Sequence, residues 1–378
     1  MRFIFALMAL FAWPAAAADP PAAPDNTVYL DLAYGRVVIH MRPDLAPRHV
    51  ARLKHLIRGG YYDGMVFYRV LDTFAAQTGD IKGDGTGAGT GRTLNAEFSR
   101  TPQVRGTVSM ARTSRRNSAD AEWFIVLDDN SNTRSSLDGK YTVWGQVSSG
   151  MEFVDQIPKG DPAKDGRGIA APAQIVRMQI AADADASSKL DVAALLKRPD
   201  AAETARDFSA ADFRCSGLVH GRGVTSQSAL AQLWTHGYLA GRYAAGNALS
   251  LIPGEAGELG ALIEACAAQP LAFLTAAGHE LAKTPRPLPA TTPVLDLETA
   301  TCRQFADSRK AKTGEADLAG LWTFGFIEGY KSVSQPEMGI PWDARPRLLD
   351  AMATACAKFP DRKFFDLATA VAAKVRIK

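Results

Sequence analysis

The stretch Phe67-Tyr-Arg-Val-Leu-Asp-Thr-Phe-Ala-Ala-Gln-Thr-Gly-Asp80 sets one arginine among aromatic and apolar side chains, with a glutamine eight positions later and a Gly-Asp turn at its end. A guanidinium among apolar neighbours is costly unless a planar partner satisfies its donors. On this stretch alone Arg69 has two readings. Either it points out of a strand whose Phe67 and Val70 point in, or its fork of donors serves a ligand.

Two later stretches bear on the choice. Gly106-Thr-Val-Ser-Met-Ala-Arg112 leads, after a polar loop, to Ala121-Glu-Trp-Phe-Ile-Val126; Leu137-Asp-Gly-Lys-Tyr-Thr-Val-Trp-Gly145 follows. Together with the first stretch they resemble the cyclophilin family of peptidyl-prolyl isomerases. That family runs through a Phe-His-Arg-Val strand, a Phe-Met-x-Gln-Gly-Gly-Asp turn, a Ser-Met-Ala strand, a Gln-Phe-Phe-Ile strand and a Leu-Asp-Gly-Lys-His loop, in this order. The likeness extends from about Asn26 to about Ala181. It implies a closed eight-stranded antiparallel barrel capped by two helices, an isomerase acting on proline-containing polypeptide clients, and no cofactor or metal.

Carried over position by position, the resemblance makes Arg69 the essential arginine and Gln77 the glutamine that orients it. It makes Phe74, Met110, Phe124 and Leu137 walls of the proline pocket, and Ala111 and Arg112 the strand end that meets the substrate backbone. Four positions depart from the usual pattern, one of them Ser136, which stands where the drug-sensitive eukaryotic members have tryptophan, so the resemblance implies weak cyclosporin binding. Ala75 replaces a methionine and widens the pocket. Glu122 replaces a glutamine and brings a carboxylate able to pair with Arg69 in competition with substrate. Tyr141 replaces a histidine and keeps an aromatic wall. The alternative reading follows from Ala75 and Glu122: a peptide-binding protein or chaperone with little turnover.

Periodicity agrees with a barrel. Val28, Leu30 and Leu32 alternate with polar partners, Tyr34-Gly35 supplies a turn, and Arg36–Met41 returns as a strand. From Ala46-Pro47, Val50, Leu53, Leu56 and Ile57 recur at helical spacing up to Gly59-Gly60. A second short helix fits Gly150 to Ile157. The run Gly83-Asp-Gly-Thr-Gly-Ala-Gly-Thr-Gly91 mimics a dinucleotide fingerprint, but no βαβ unit surrounds it, so it reads as a surface loop.

The chain has 378 residues, 47% hydrophobic and 22% charged, which is enough for several ordinary cores. Its net charge of +3 is spread without long basic runs, so it carries no footprint for nucleic acid. Residues 1–18 read as a cleaved signal peptide: Arg2, an apolar run to Trp13, then Pro14 and four alanines. The mature protein is therefore expected to be exported, in a periplasm if the source is Gram-negative, without stable membrane insertion.

Beyond Ala181 the composition turns small and polar, then helical. We expect a linker over 182–208, a helical repeat over 209–283, a Pro-rich connector over 284–295 and a second repeat over 296–378. Cys215, Leu233-Trp-Thr-His-Gly-Tyr-Leu-Ala-Gly241 and Cys266-Ala-Ala-Gln-Pro270 recur as Cys302, Leu321-Trp-Thr-Phe-Gly-Phe-Ile-Glu-Gly329 and Cys356-Ala-Lys-Phe-Pro360. The chain's 4 Cys allow three disulfide pairings, or none; the repeat favours Cys215 with Cys266 and Cys302 with Cys356. No metal-ligand spacing is present, and His236 reads as a packing or surface residue. The Cys, Trp/Gly helix and Cys-Pro pattern resembles the small periplasmic acid-stress chaperones of the HdeA family, which implies binding of clients or partners through apolar helical faces. A stapled spacer or dimerisation module is the other reading.

Overall fold

A computed structural model describes residues 23–87, 89–184, 204–219, 226–252, 258–290, 292, 295–335 and 340–375. The expected signal peptide and most of the expected linker lie outside the described residues.

Eight strands form one antiparallel sheet: β1 Thr27–Leu32, β2 Gly35–Met41, β3 Arg69–Val70, β4 Ala75–Thr78, β5 Thr107–Met110, β6 Trp123–Val126, β7 Val143–Ser149 and β8 Ile175–Ile180. Their order is β3-β4-β6-β5-β7-β2-β1-β8. The ladder runs from the edge strand β3 to the edge strand β8 as a curled half-barrel. Val66 and Gln174 form a bridge across the gap between these edges, with Phe67 N donating to Ala173 O at 2.9 Å, Ile175 N to Met65 O at 2.8 Å and Gly64 N to Ile175 O at 2.8 Å.

Alternation fills the interior of the curl. Val28, Leu30, Val37, Ile39, Val108, Ile125 and Ile180 are all fully buried, and Trp123 meets Phe67 and Trp144 edge-on at 6.0 and 5.7 Å between ring centres. Burying each such side chain stabilises the fold by roughly 1.5–3 kcal/mol. Helix α1, Pro47–Arg58, opens with Pro at its first turn and lays Val50, Leu53, Leu56 and Ile57 on this core. Helix α3 is shorter than expected, Met151–Val154. Helix α2, Ser131–Leu137, was not expected; Asn130 caps it by accepting from the amides of Asn132 and Thr133.

The rest of the described chain is helical, apart from a parallel pair of two-residue strands, β9 Leu251–Ile252 and β10 Leu288–Pro289. Its helices are α4 Ser216–Val219, α5 Ser226–Ala245, α6 Glu258–Ala268, α7 Leu274–Leu281, α8 Cys302–Ala311, α9 Gly314–Ser332, α10 Arg345–Lys358 and α11 Phe364–Lys374. Among the described residues no helix is long and apolar enough to cross a membrane. Disulfides join Cys215 to Cys266 and Cys302 to Cys356, with Cα atoms 4.7 and 4.5 Å apart. The long helices α5 and α9 cross where Gly237 and Gly241 meet the α9 backbone and Gly325 and Gly329 meet the α5 backbone. A Cβ at any of the four would overlap a carbonyl oxygen of the other helix.

The helical half sits on α1 and the loop that follows it. Arg214 N donates to Gly59 O at 2.7 Å and its Nε to Tyr61 O at 3.1 Å. Gln227 Nε2 donates to His55 O at 3.0 Å, and Arg92 pairs with Asp212 while its Nη1 donates to Asp207 O at 2.6 Å. The glycine-rich loop is thereby tied at Arg92, and at Thr90, whose Oγ1 donates to Asp120 Oδ1 at 2.5 Å.

Candidate active site

Strand register assembles the site. Arg69 stands opposite Gln77, Gln77 opposite Phe124, and Phe124 opposite Ser109, so one rung crosses β3, β4, β6 and β5. Because side chains alternate with period two, Arg69, Gln77 and Phe124 share the outer face of the curl, while the next rung, Val70, Ala76, Ile125 and Val108, faces the core. A second, separate apolar cluster lies on the outer face: Ala75, Phe124, Val126 and Leu137, with Phe74, Ala111 and Tyr141 against it. Phe124 and Tyr141 meet edge to face at 5.5 Å. The Phe74 turn is pinned by Leu127 N donating to Phe74 O at 2.9 Å and by Thr133 Oγ1 of α2 donating to Thr73 O at 3.0 Å.

The sequence expectation for Met110 is corrected by this geometry. Met110 pairs with Trp123 on the inward face and belongs to the barrel core, 1% exposed. Ala111, one residue on, is the member of that strand end that joins the pocket cluster; its amide donates to Glu122 O at 2.9 Å. Arg112 is folded over Tyr141 at 4.8 Å, its Nε donating to Lys140 O at 3.0 Å.

Arg69 is 18% exposed at its side chain and braced from two sides. Nη1 donates to Gln77 Oε1 at 3.1 Å, and the guanidinium stands 5.4 Å from the Phe74 ring centre. Nε and Nη2 donate to the two carboxylate oxygens of Asp165 at 3.0 and 2.8 Å, and Nε also to Asp165 O at 3.1 Å. The hydrogen bonds from Arg69 hold the Asp165 carboxyl below its usual range.

Glu122, a carboxylate able to pair with Arg69, is engaged by other partners. Tyr68 OH and Gln77 Nε2, the latter at 3.0 Å, both donate to Glu122 Oε2, and Gln77 Nε2 also reaches Tyr68 OH. Burial first, and the Glu122 carboxylate second, push the Tyr68 phenol far above its ordinary value. The phenol thus stays protonated and donates. Tyr68 and Asp165 are the site neighbours that sequence reasoning missed. Among the described residues no group of His, Cys, Asp and Glu is arranged to hold a metal.

The family model for cyclophilin type peptidyl-prolyl cis-trans isomerase/CLD matches residues 27–180. A probable peptidyl-prolyl cis-trans isomerase of Brucella suis is 47% identical over 180 residues, covering 45% of this chain and 87% of that protein. The chain belongs to the cyclophilin-type peptidyl-prolyl cis-trans isomerase family. Peptidyl-prolyl cis-trans isomerase B of Bacillus subtilis is 34% identical over 134 residues, covering 35% of this chain and 90% of its own length. A crystal structure of a cyclophilin from Hirschia baltica aligns with a TM-score of 0.36 at 25% identity, over 43% of this chain and 76% of that one. This cyclophilin is accordingly a peptidyl-prolyl isomerase whose family match ends at residue 180 and leaves the helical half outside it.

Proposed function

We propose that this isomerase is an exported foldase that speeds rotation about Xaa-Pro bonds of client chains, with Arg69 hydrogen-bonding the prolyl nitrogen and Gln77 orienting it. The observation that carries this is the rung that sets Arg69, braced by Gln77 Oε1 at 3.1 Å, beside the Phe74, Ala75, Phe124, Leu137 and Tyr141 cluster. A peptide bond resists rotation by roughly 18–20 kcal/mol because nitrogen donates its lone pair into the carbonyl. A donor that bonds the nitrogen as it pyramidalises lowers that cost in the twisted state alone, while the apolar cluster seats the ring. Five orders of magnitude correspond to about 7 kcal/mol of such differential binding. Neither nucleophile nor metal is required.

Engagement of Glu122 by Tyr68 and Gln77 weighs against the rival reading of a peptide binder with little turnover, since Glu122 leaves the guanidinium alone. The experiment is prolyl isomerisation of a model peptide, by protease coupling or NMR exchange, with wild type and Arg69→Ala. Loss of activity in the variant is the expected result; equal activity overturns the assignment of Arg69, and none in either protein favours the rival.

The barrel reading draws support from the Val66–Gln174 bridge. For the helical half we keep the reading of two copies of one module that contribute client binding. Its support is a set of matched contacts. Trp234 stacks on Tyr238 and Trp322 on Phe326; Thr235 Oγ1 donates to Ala231 O and Thr323 Oγ1 to Ala319 O; Leu274 N reaches Phe213 O and Phe364 N reaches Ala300 O.

A further inference from the structure

Asp165 arrives at Arg69 by backbone pairing. Gly160 N donates to Val70 O at 2.9 Å and Val70 N to Gly166 O at 2.8 Å, so residues 160–167 cover the outer edge of β3. Asp161 and Arg167 close that segment by their own bridge, and the Asp161 carboxylate accepts from Ala163 N at 2.9 Å. Gly166, at φ +74, sits so tightly on Val70 and Leu71 that a Cβ there would meet Val70 C at 3.0 Å. Asp165 itself is left-handed, at φ 55 and ψ 41, one of three non-glycine residues with positive φ among the described residues. Such backbone is sparsely populated and persists where its surroundings impose it, often at functional sites.

An ordinary surface ion pair is the plain alternative, and the Asp165 side chain is 63% exposed. Exposed pairs contribute little to stability, so the fold does not need this one. Its form is the informative part. A guanidinium has five N–H donors in one plane. Asp165 takes the Nε–H and one of Nη2, Gln77 takes one of Nη1, and a single donor remains on each terminal nitrogen.

We propose that Asp165 is a positioning residue for Arg69: with Gln77 it clamps the guanidinium plane and leaves one orientation of the two remaining donors for the substrate. The inference rests on the reading of Arg69 as the donor to the prolyl group. A guanidinium held by Gln77 alone rotates about its last side-chain torsions, and misplacement of a donor lowers turnover more than binding.

The test compares Asp165→Ala and Asp165→Asn with wild type and with Arg69→Ala, reading kcat and KM separately. For Asp165→Ala we expect kcat to fall about tenfold with KM within about twofold, and for Asp165→Asn, which tolerates the left-handed turn and keeps one acceptor oxygen, an intermediate fall. In an Arg69→Ala background neither change should lower activity further. An unchanged kcat overturns the proposal, as does a rise in kcat/KM, which would make the carboxylate a competitor of substrate. If Arg69→Ala itself retains full activity, the assignment of Arg69 fails instead.

Discussion

Gln77 faces Arg69 across adjacent strands and divides its amide between two charges: the oxygen accepts from Arg69 Nη1 at 3.1 Å while the nitrogen donates to Glu122 at 3.0 Å. This orientation of the amide keeps the carboxylate and the guanidinium apart. Replacing Gln77 by Ala removes the spacer, frees Arg69 from one brace and lets Glu122 approach it. A lost hydrogen bond to a charged group is worth about 1.5–3 kcal/mol, so kcat/KM should drop roughly ten- to hundredfold. Steady-state isomerisation kinetics check this. In the double variant Gln77→Ala, Glu122→Gln, part of the loss should return, because the freed carboxylate is gone.

What the sequence made legible follows from distance along the chain. Arg69 and Gln77 lie eight residues apart on one hairpin, where alternation alone puts them on a common face. Asp165 is 96 positions from Arg69 and stands in a turn without periodicity, so nothing local announced it. Met110 was readable and misassigned: in Ser109-Met-Ala111 the period of two puts Ser109 and Ala111 on the pocket side and Met110 inside. Helix α2 has only seven residues, too few to show a period, yet Asn130 before Ser-Asn-Thr was a usable cap signal. The paired cysteines were legible as the local pairing, Cys215 with Cys266 and Cys302 with Cys356, one of the three that four cysteines allow.

Gly325→Ala distinguishes tight helix contact from helix propensity. On an exposed helix the change would stabilise by about 1 kcal/mol. Here the new Cβ overlaps Trp234 O, and Tyr238 N stands 3.1 Å away, so α5 and α9 must separate. Overpacking against backbone costs about 1–3 kcal/mol or more, so the urea midpoint of the helical half should fall. Gly246→Ala, whose nearest neighbour would be Arg242 O at 3.7 Å, is the matched control and should be near neutral.

Reduction separates the two halves. Each disulfide closes a long loop, with sequence separations of 51 and 54. Chain-entropy reasoning gives about 4 kcal/mol for a loop of that length. All four cysteines lie in the helical half, so a reductant should lower its unfolding midpoint and leave residues 27–180 folded and active. Loss of isomerase activity in step with reduction would show that the docking of the helical half on α1 supports the catalytic half.

His236 gives the helical half a pH dependence whose sign is set by its hydrogen bonds. Its Nδ1 accepts from Trp322 Nε1 at 3.0 Å, and its Nε2 therefore carries the proton and donates to Pro289 O at 2.9 Å. A second proton would turn Nδ1 toward another donor. Burial pushes its pKa down to about 4 from an ordinary 6.5. The unfolded chain thus binds the proton first, and stability is complete above about pH 6.5 and declines as pH falls towards 4. The full difference amounts to about 3 kcal/mol. His236→Gln retains an acceptor for Trp322 without titrating. Urea unfolding at pH 7 and at pH 4.5 should show a larger decline in wild type than in the variant, with the carboxylates common to both cancelling in the comparison; parallel declines would assign the acid sensitivity to groups other than His236.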